Sequence, residues 1–285
     1  MFTNLSLGAI GVKASLVEGI KLAKSVGFEG LEVDIREVAK HVEEKGLEEV
    51  KRLFEEAGVR PGGWILPLDW RGEEAAYREG LAQLPRLAEV ALSIDSRRVP
   101  TWVLPFSDER PFKENFNWHR DRFEPIARLL TEHGCSLGLE FIGPKTSRAR
   151  HRYEFIYTLD GMLELCEAIG TGNVGLLLDS WHWYTSRGTV EDLRRLRSSQ
   201  VVYVHINDAP KGVPVDEQID NLRCLPGETG VIDLKGFLES LQAIGYDGPV
   251  TPEPFSQKLR GMPALEAVRV TRDALLKVWT AAGLR

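Results

Sequence analysis

Val174-Gly-Leu-Leu-Leu-Asp-Ser-Trp-His-Trp183 decides the reading of this chain of 285 residues. The run from Val174 to Leu178 is apolar throughout, the pattern of a strand buried on both faces of a parallel sheet. It ends on Asp179, and His182 follows three residues later. An acid at the C-terminal end of such a strand has no packing role, so it points to chemistry. The same event recurs on either side. Ser136-Leu-Gly-Leu-Glu-Phe-Ile142 carries Glu140, Val201-Val-Tyr-Val-His-Ile-Asn-Asp208 carries His205, and Gly248-Pro-Val-Thr-Pro-Glu-Pro-Phe255 carries Glu253.

Working outward, strand-like runs alternate with amphipathic helical patterns along the whole chain. The strands are expected at Asn4–Ile10, Gly30–Ile35, Val59–Leu66, Arg98–Leu104, Ser136–Ile142, Val174–Trp181, Val201–Asn207 and Pro249–Glu253. Ser15 and Glu18 have the spacing of a capping box at the start of the first helix. Gly27, Gly58, Gly134, Gly170 and Gly245 each close a helical pattern just before a strand. A last helix is expected from Pro263 to Ala282. Eight strand–helix units predict an α/β protein, a single (β/α)8 TIM barrel over residues 1–285. The longest irregular stretches, Ser107–Asn117, Gly143–Thr158 and Asp208–Val231, follow strands and fall on the face where barrels keep their sites.

Composition narrows the function. The net charge of −6 disfavours a nucleic-acid partner. No apolar run reaches the roughly 18 residues of a membrane helix, and the N-terminus lacks the pattern of a signal peptide. Cys135, Cys166 and Cys224 are odd in number and far apart, which fits buried or loop thiols in a reducing cytoplasm rather than a disulfide frame.

Glu140, Asp179, His205 and Glu253 close the fifth to eighth strands, neighbours in a barrel, so four inward side chains converge at its mouth. Three oxygens and one nitrogen suit one divalent metal, Mn2+, Mg2+ or Co2+, with Zn2+ also compatible. Taken singly, each acid reads equally well as a helix cap or ion-pair partner. Several tryptophans at strand ends, Trp64 and Trp102 among them, read either as walls of a sugar pocket or as cover for the barrel top. Glu32 and Asp34 share a strand face, where one reaches the pocket or both join a polar layer inside the barrel. The basic run Lys145, Arg148, Arg150 and Arg152 reads as a solvated loop before an anion site. Arg223 is the better candidate for a substrate anion or hydroxyl, and Asp208, of opposite parity to His205, for support behind the ligands. The remaining histidines, His41, His119, His133 and His151, read as structural or exposed.

The order Glu140…Asp179-x-x-His182…His205…Glu253 resembles the xylose-isomerase-like barrel superfamily of sugar isomerases and epimerases, and within it the ketose 3-epimerases. The resemblance runs over the whole length and implies a metal held by Glu140, Asp179, His205 and Glu253, with His182 touching substrate. The family often has Arg six residues after the metal histidine; here Lys211 stands there, as a candidate substrate contact. The implied activity is isomerisation or epimerisation of a small sugar. Removing a proton next to a carbonyl puts charge on oxygen, which a divalent cation stabilises, while Glu140 and Glu253 serve as the proton carriers. A metal-dependent lyase acting on an inosose, dehydroshikimate or keto-glycoside begins with the same proton. A non-catalytic sugar binder and an abasic-site nuclease fit less well, the latter because the third and fourth strands offer Trp64 and Trp102 where histidines are needed. A homo-oligomer is compatible with all of these readings.

Overall fold

The computed structural model describes residues 1–284. Eight parallel strands form one curled sheet: β1 Phe2–Leu5, β2 Gly30–Glu32, β3 Arg60–Gly63, β4 Arg98–Val103, β5 Ser136–Phe141, β6 Val174–Asp179, β7 Val201–Ile206 and β8 Pro249–Pro252. Their order is β3-β2-β1-β8-β7-β6-β5-β4, each strand beside its sequence neighbour. The ring closes just past β3, where the Trp64 and Leu66 amides donate to the carbonyls of Arg98 and Pro100 on β4. This is the expected (β/α)8 barrel.

Helices α1 Leu16–Val26, α2 Ile35–Lys45, α3 Leu47–Ala57, α4 Glu74–Ser93, α5 Phe112–Glu132, α6 Leu159–Ile169, α7 Ser180–Thr185, α8 Val190–Arg194, α9 Leu234–Ala243 and α10 Ala264–Ala281 account for the longer connections. Ser15 and Glu18 form the reciprocal cap of α1. The five glycines expected at helix ends all take the left-handed conformation, with φ from 63° at Gly134 to 83° at Gly27. Leu176, Leu177 and Leu178 of β6 are buried on both faces, as its apolar run requires.

Several boundaries differ from expectation, and β2 and β3 stop at Glu32 and Gly63 rather than at Ile35 and Leu66. β1 starts at Phe2 and stops at Leu5, because Ser6 turns its hydroxyl to the Ala9 amide and Gly8–Ile10 coils into a 3-10 turn. β6 stops at Asp179, whose carboxylate accepts the Trp181 amide at 2.6 Å and so starts α7. Residues Phe112 to Asn117, expected to be irregular, form the first turns of α5 behind Pro111. A short antiparallel ribbon, Phe106–Ser107 against Tyr153–Glu154, ties together the loops that follow β4 and β5.

His119 on α5 is buried among Trp70, Trp118 and Phe155, with ring centroids 5.4, 4.9 and 4.7 Å away. Its Nδ1 lies 2.7 Å from the Asn115 carbonyl, so Nδ1 carries the proton. Burial pushes its pKa down from 6.5 to about 4. The unfolded chain therefore binds more protons between these values. Stability from this group is complete above the unfolded pKa and is lost as pH falls towards 4, by about 3 kcal/mol at about 1.4 kcal/mol per unit. His119→Phe is expected to flatten the loss of stability between pH 7 and 4.5 by that order. Denaturant melts at the two pH values check this, and an unchanged difference would contradict it.

Candidate metal centre

Glu140, Asp179 and His205 lie at or next to the C-terminal ends of β5, β6 and β7, and Glu253 follows β8 directly. The register holds Asp179 opposite His205. One donor atom from each of the four residues falls within 4.8 Å of the others. His205 Nδ1 stands 3.4 Å from Glu140 Oε1, 3.8 Å from Asp179 Oδ2 and 3.3 Å from Glu253 Oε2. Donors around one ion at bond lengths of about 2.1 Å stand roughly 3 to 4.2 Å apart, so this spacing fits. Among the described residues Glu140 Oε1 and His205 Nδ1 are buried without a hydrogen-bond partner, the state of atoms that await another ligand.

The charges agree. Arg223 Nη1 donates to Asp179 Oδ2 at 2.8 Å and Glu253 Oε2 at 2.7 Å, and Nη2 donates to Asp220 Oδ1 at 2.8 Å. One guanidinium cannot balance the three carboxylates of the cluster and Asp220 together, and although burial opposes it, Glu253 and Glu140 raise the His205 pKa well above its ordinary value, so the site attracts positive charge. A divalent cation would supply the missing charge. Burial is the main influence on Asp179 and would raise its pKa, but Arg223, with His182 and His205, outweighs it and holds the carboxyl below its ordinary range. For Glu140 burial prevails and its pKa is raised, because the two histidines offset only part of it. Two carboxyls in one site are thus held in opposite directions.

The supports come from loops and from the barrel interior. Asn207 Nδ2 lies 3.2 and 3.3 Å from the Asp179 oxygens and 3.3 Å from the Glu253 carbonyl, so it ties two ligands together. Asn207 in turn exchanges hydrogen bonds with Ser180. Beneath the cluster, Glu32 accepts from Ser6 at 2.7 Å and from Tyr203 at 3.0 Å, while Asn4 and Thr251 complete a polar layer. Burial raises the Glu32 pKa. Asp34, its expected partner in that layer, caps α2 instead. Asn207→Leu keeps the size but removes the amide. It is expected to weaken metal affinity about 10- to 100-fold, as loss of a ligand-orienting partner does. Titration with Mn2+ followed by calorimetry checks this, and unchanged affinity would contradict it.

The other expected site residues fall in different places. His182 is buried beside the cluster. The Gly143 amide donates to its Nδ1 at 3.1 Å, and its Nε2 lies 3.2 Å from Arg223 Nη2, 3.8 Å from Asp220 and 3.9 Å from Glu140. Trp102 pairs with Glu140 across β4 and β5 and is 43% exposed at the mouth. Trp64 must be reassigned. It is fully buried, and its indole donates to the Ser96 carbonyl, before the start of β4 and away from the mouth. Asp208 must be reassigned too. Its carboxylate takes the amides of Ala209, Thr229, Gly230 and Ile232, so it anchors the loop that carries Arg223 and does not touch a ligand of the cluster. Lys211 stands exposed on a turn beyond β7 and is not one of the groups around the cluster. In the basic run, Lys145 pairs with Asp216 and Arg148 is held by the Gly143 carbonyl and Glu154. Asp220 and Asn207, bonded to Arg223 and Asp179, are neighbours of the cluster that the sequence does not mark.

A cleft of about 1000 Å³ opens at the opposite end of the barrel among Arg60, Arg97, Arg98 and Asp247 and is lined by none of the cluster. Arg97 and Arg98 are paired there with Asp95 and Asp247, as suits a face that serves stability. Among the described residues no helix is long and apolar enough to cross a membrane.

Fold and site together define a barrel with a four-residue candidate metal site at its mouth. Residues 20–277 match the family model described as xylose isomerase-like TIM barrel, and the chain belongs to that family. A solved xylose isomerase domain protein from Alicyclobacillus acidocaldarius is 31% identical, covers 99% of each chain and superposes with a TM-score of 0.88. The inosose isomerase of Halalkalibacterium halodurans is 24% identical over 93% of this chain and 92% of its own length. The 3-dehydroshikimate dehydratase of Pseudomonas aeruginosa is 26% identical over 90% of this chain, which spans 39% of that protein. The named relatives are enzymes of isomerase and dehydratase type.

Proposed function

We propose that this protein is a divalent-metal-dependent isomerase or epimerase of a small sugar or cyclic polyol ketone. The observation that carries the reading is the cluster of Glu140, Asp179, His205 and Glu253, with two of its carboxylates on strands separated by two others. The cation, held by these four residues, would polarise a carbonyl and lower the acidity barrier at the neighbouring carbon. Glu140 and Glu253 face the site from β5 and from the end of β8, so they flank a bound carbon on different sides. One takes the proton and the other returns it, to the opposite face in an epimerisation or to the next carbon in an isomerisation. Asp179, tied to Arg223 and Asn207, stays ionised and fixed in place. The likeness to inosose isomerase supports this class of substrate.

A lyase is the second reading, favoured by the likeness to 3-dehydroshikimate dehydratase over most of the chain. It uses the same first proton and then expels a β-hydroxyl. Incubating the metal-loaded protein with ketoses, inososes, keto-glycosides and 3-dehydroshikimate, with products identified by NMR, separates the two. An isomeric product of equal mass supports the first reading, loss of water supports the second, and no conversion of any of them contradicts both.

A further inference from the structure

The loop after β3 carries an arginine that no acid neutralises at close range. The Arg71 guanidinium carbon lies over two indoles, 4.2 Å from the Trp70 ring centroid and 4.5 Å from that of Trp102. Its Nη2 donates to the Trp102 carbonyl, and its Nε–H is buried with no acceptor among the described residues. A guanidinium has five N–H donors, so most remain to be used. Burial lowers its pKa to about 10, with the charge of Asp69 offsetting part of the effect, which leaves it charged at neutral pH.

The rim position follows from strand parity. Thr101 faces the helices, because its hydroxyl takes the Trp70 indole N–H at 3.1 Å and Trp70 packs on Phe123 of α5. Trp102 therefore faces the barrel interior, beside Glu140. Arg71 straddles the rim above both rings. Ile65 and Leu104, past the ends of β3 and β4, are also more than a third exposed. A planar cation with Asp69 near it but no direct ion pair among the described residues, beside an apolar wall and one strand from a carboxylate of the cluster, has the chemistry of a binding site for a small organic anion. Other cations near the mouth differ: Arg223 is saturated by three carboxylates, and Lys145 is paired with Asp216.

We propose that Arg71, stacked on Trp102, binds an oxyanion group of the substrate, a carboxylate or a phosphate, while the substrate's carbonyl end lies at the four-residue cluster. This rests on the reading of that cluster as a metal site and narrows its substrate to an anionic polyol or ketone. The guanidinium is itself a planar fork, and its contacts with the two indoles restrict its movement, which favours a two-point contact with an oxyanion.

The test is calorimetric titration of the Mn2+-loaded protein with quinate, fructose 6-phosphate and myo-inositol. At least one of the two anions is expected to bind more tightly than myo-inositol, and which one it is identifies the group. Arg71→Met is expected to weaken that anion about 10- to 100-fold, the loss of a charge-assisted hydrogen bond, with myo-inositol binding and metal content unchanged. Arg71→Lys, which keeps the charge but not the planar fork, should recover part of the loss. If neither anion binds the wild type better than myo-inositol, or if Arg71→Met keeps the preference, the assignment is overturned. Metal-dependent exchange of substrate hydrogen in D2O is read in parallel. A protein that binds the anion through Arg71 but exchanges nothing refutes the catalytic reading and leaves this site standing. Exchange in neutral and anionic ketones alike, indifferent to Arg71→Met, does the reverse.

Discussion

Glu140→Gln and Glu253→Gln are each expected to lower turnover by about 10² to 10⁴, the usual contribution of a positioned acid or base. Glutamine keeps an oxygen that can ligate, so part of the metal should stay, while the group that carries the proton is gone. The Glu140 variant should be the milder of the two for folding. Burial raises the pKa of Glu140, so removing its charge relieves a cost. Glu253 takes one of the hydrogen bonds of Arg223 at 2.7 Å, and the amide weakens that charge-assisted contact. Turnover measured beside elemental analysis checks the pair. Near wild-type turnover in both variants, with metal bound, would remove the proton-transfer roles and turn attention to Glu32, which lies in the layer below.

The second large effect is loss of the metal itself. His205→Ala and Asp179→Ala are expected to abolish metal binding and with it activity. His205→Ala is the cleaner experiment, because His205 Nδ1 has no hydrogen-bond partner to strand. Asp179→Ala also takes the cap of α7, one anchor of Asn207 and one of the three carboxylates on Arg223. Breaking a buried pair of this kind costs about 3–5 kcal/mol, within the total stability of an ordinary domain but a large share of it. Asp179→Ala should therefore melt well below His205→Ala, both with a folded barrel by circular dichroism. Undiminished metal in both variants would refute the ligand set.

What could be read in the chain follows from which residues obey short-range rules. β6 was visible because a strand buried on both faces leaves an unbroken apolar run, and Asp179 because an acid ends it. The same holds for Glu140 and His205 on β5 and β7. β3 shows the opposite case. Its residues are Arg60-Pro-Gly-Gly63, with almost no side chains to mark parity, so Trp64 and Trp102 looked alike although one is sealed in the wall and the other opens on the mouth. Asp208 lies two residues past the end of β7, and its partners are amides of Thr229, Gly230 and Ile232, brought back by a loop whose path no periodicity encodes. Asp220 and Arg71 lie on such loops too, and their roles come only from what the fold sets beside them.

The most direct test of the account is exchange of carbon-bound hydrogen. The protein is incubated in D2O with candidate ketones, in one arm stripped of metal by a chelator and in another reloaded with Mn2+, and deuterium at the carbon next to the carbonyl is followed by NMR. The account predicts incorporation, or its equivalent in product formed by elimination, only in the reloaded arm, and its loss in Glu140→Gln or Glu253→Gln. Exchange at equal rates with and without metal, or no exchange by the reloaded protein with any ketose, inosose or dehydroshikimate, would contradict it.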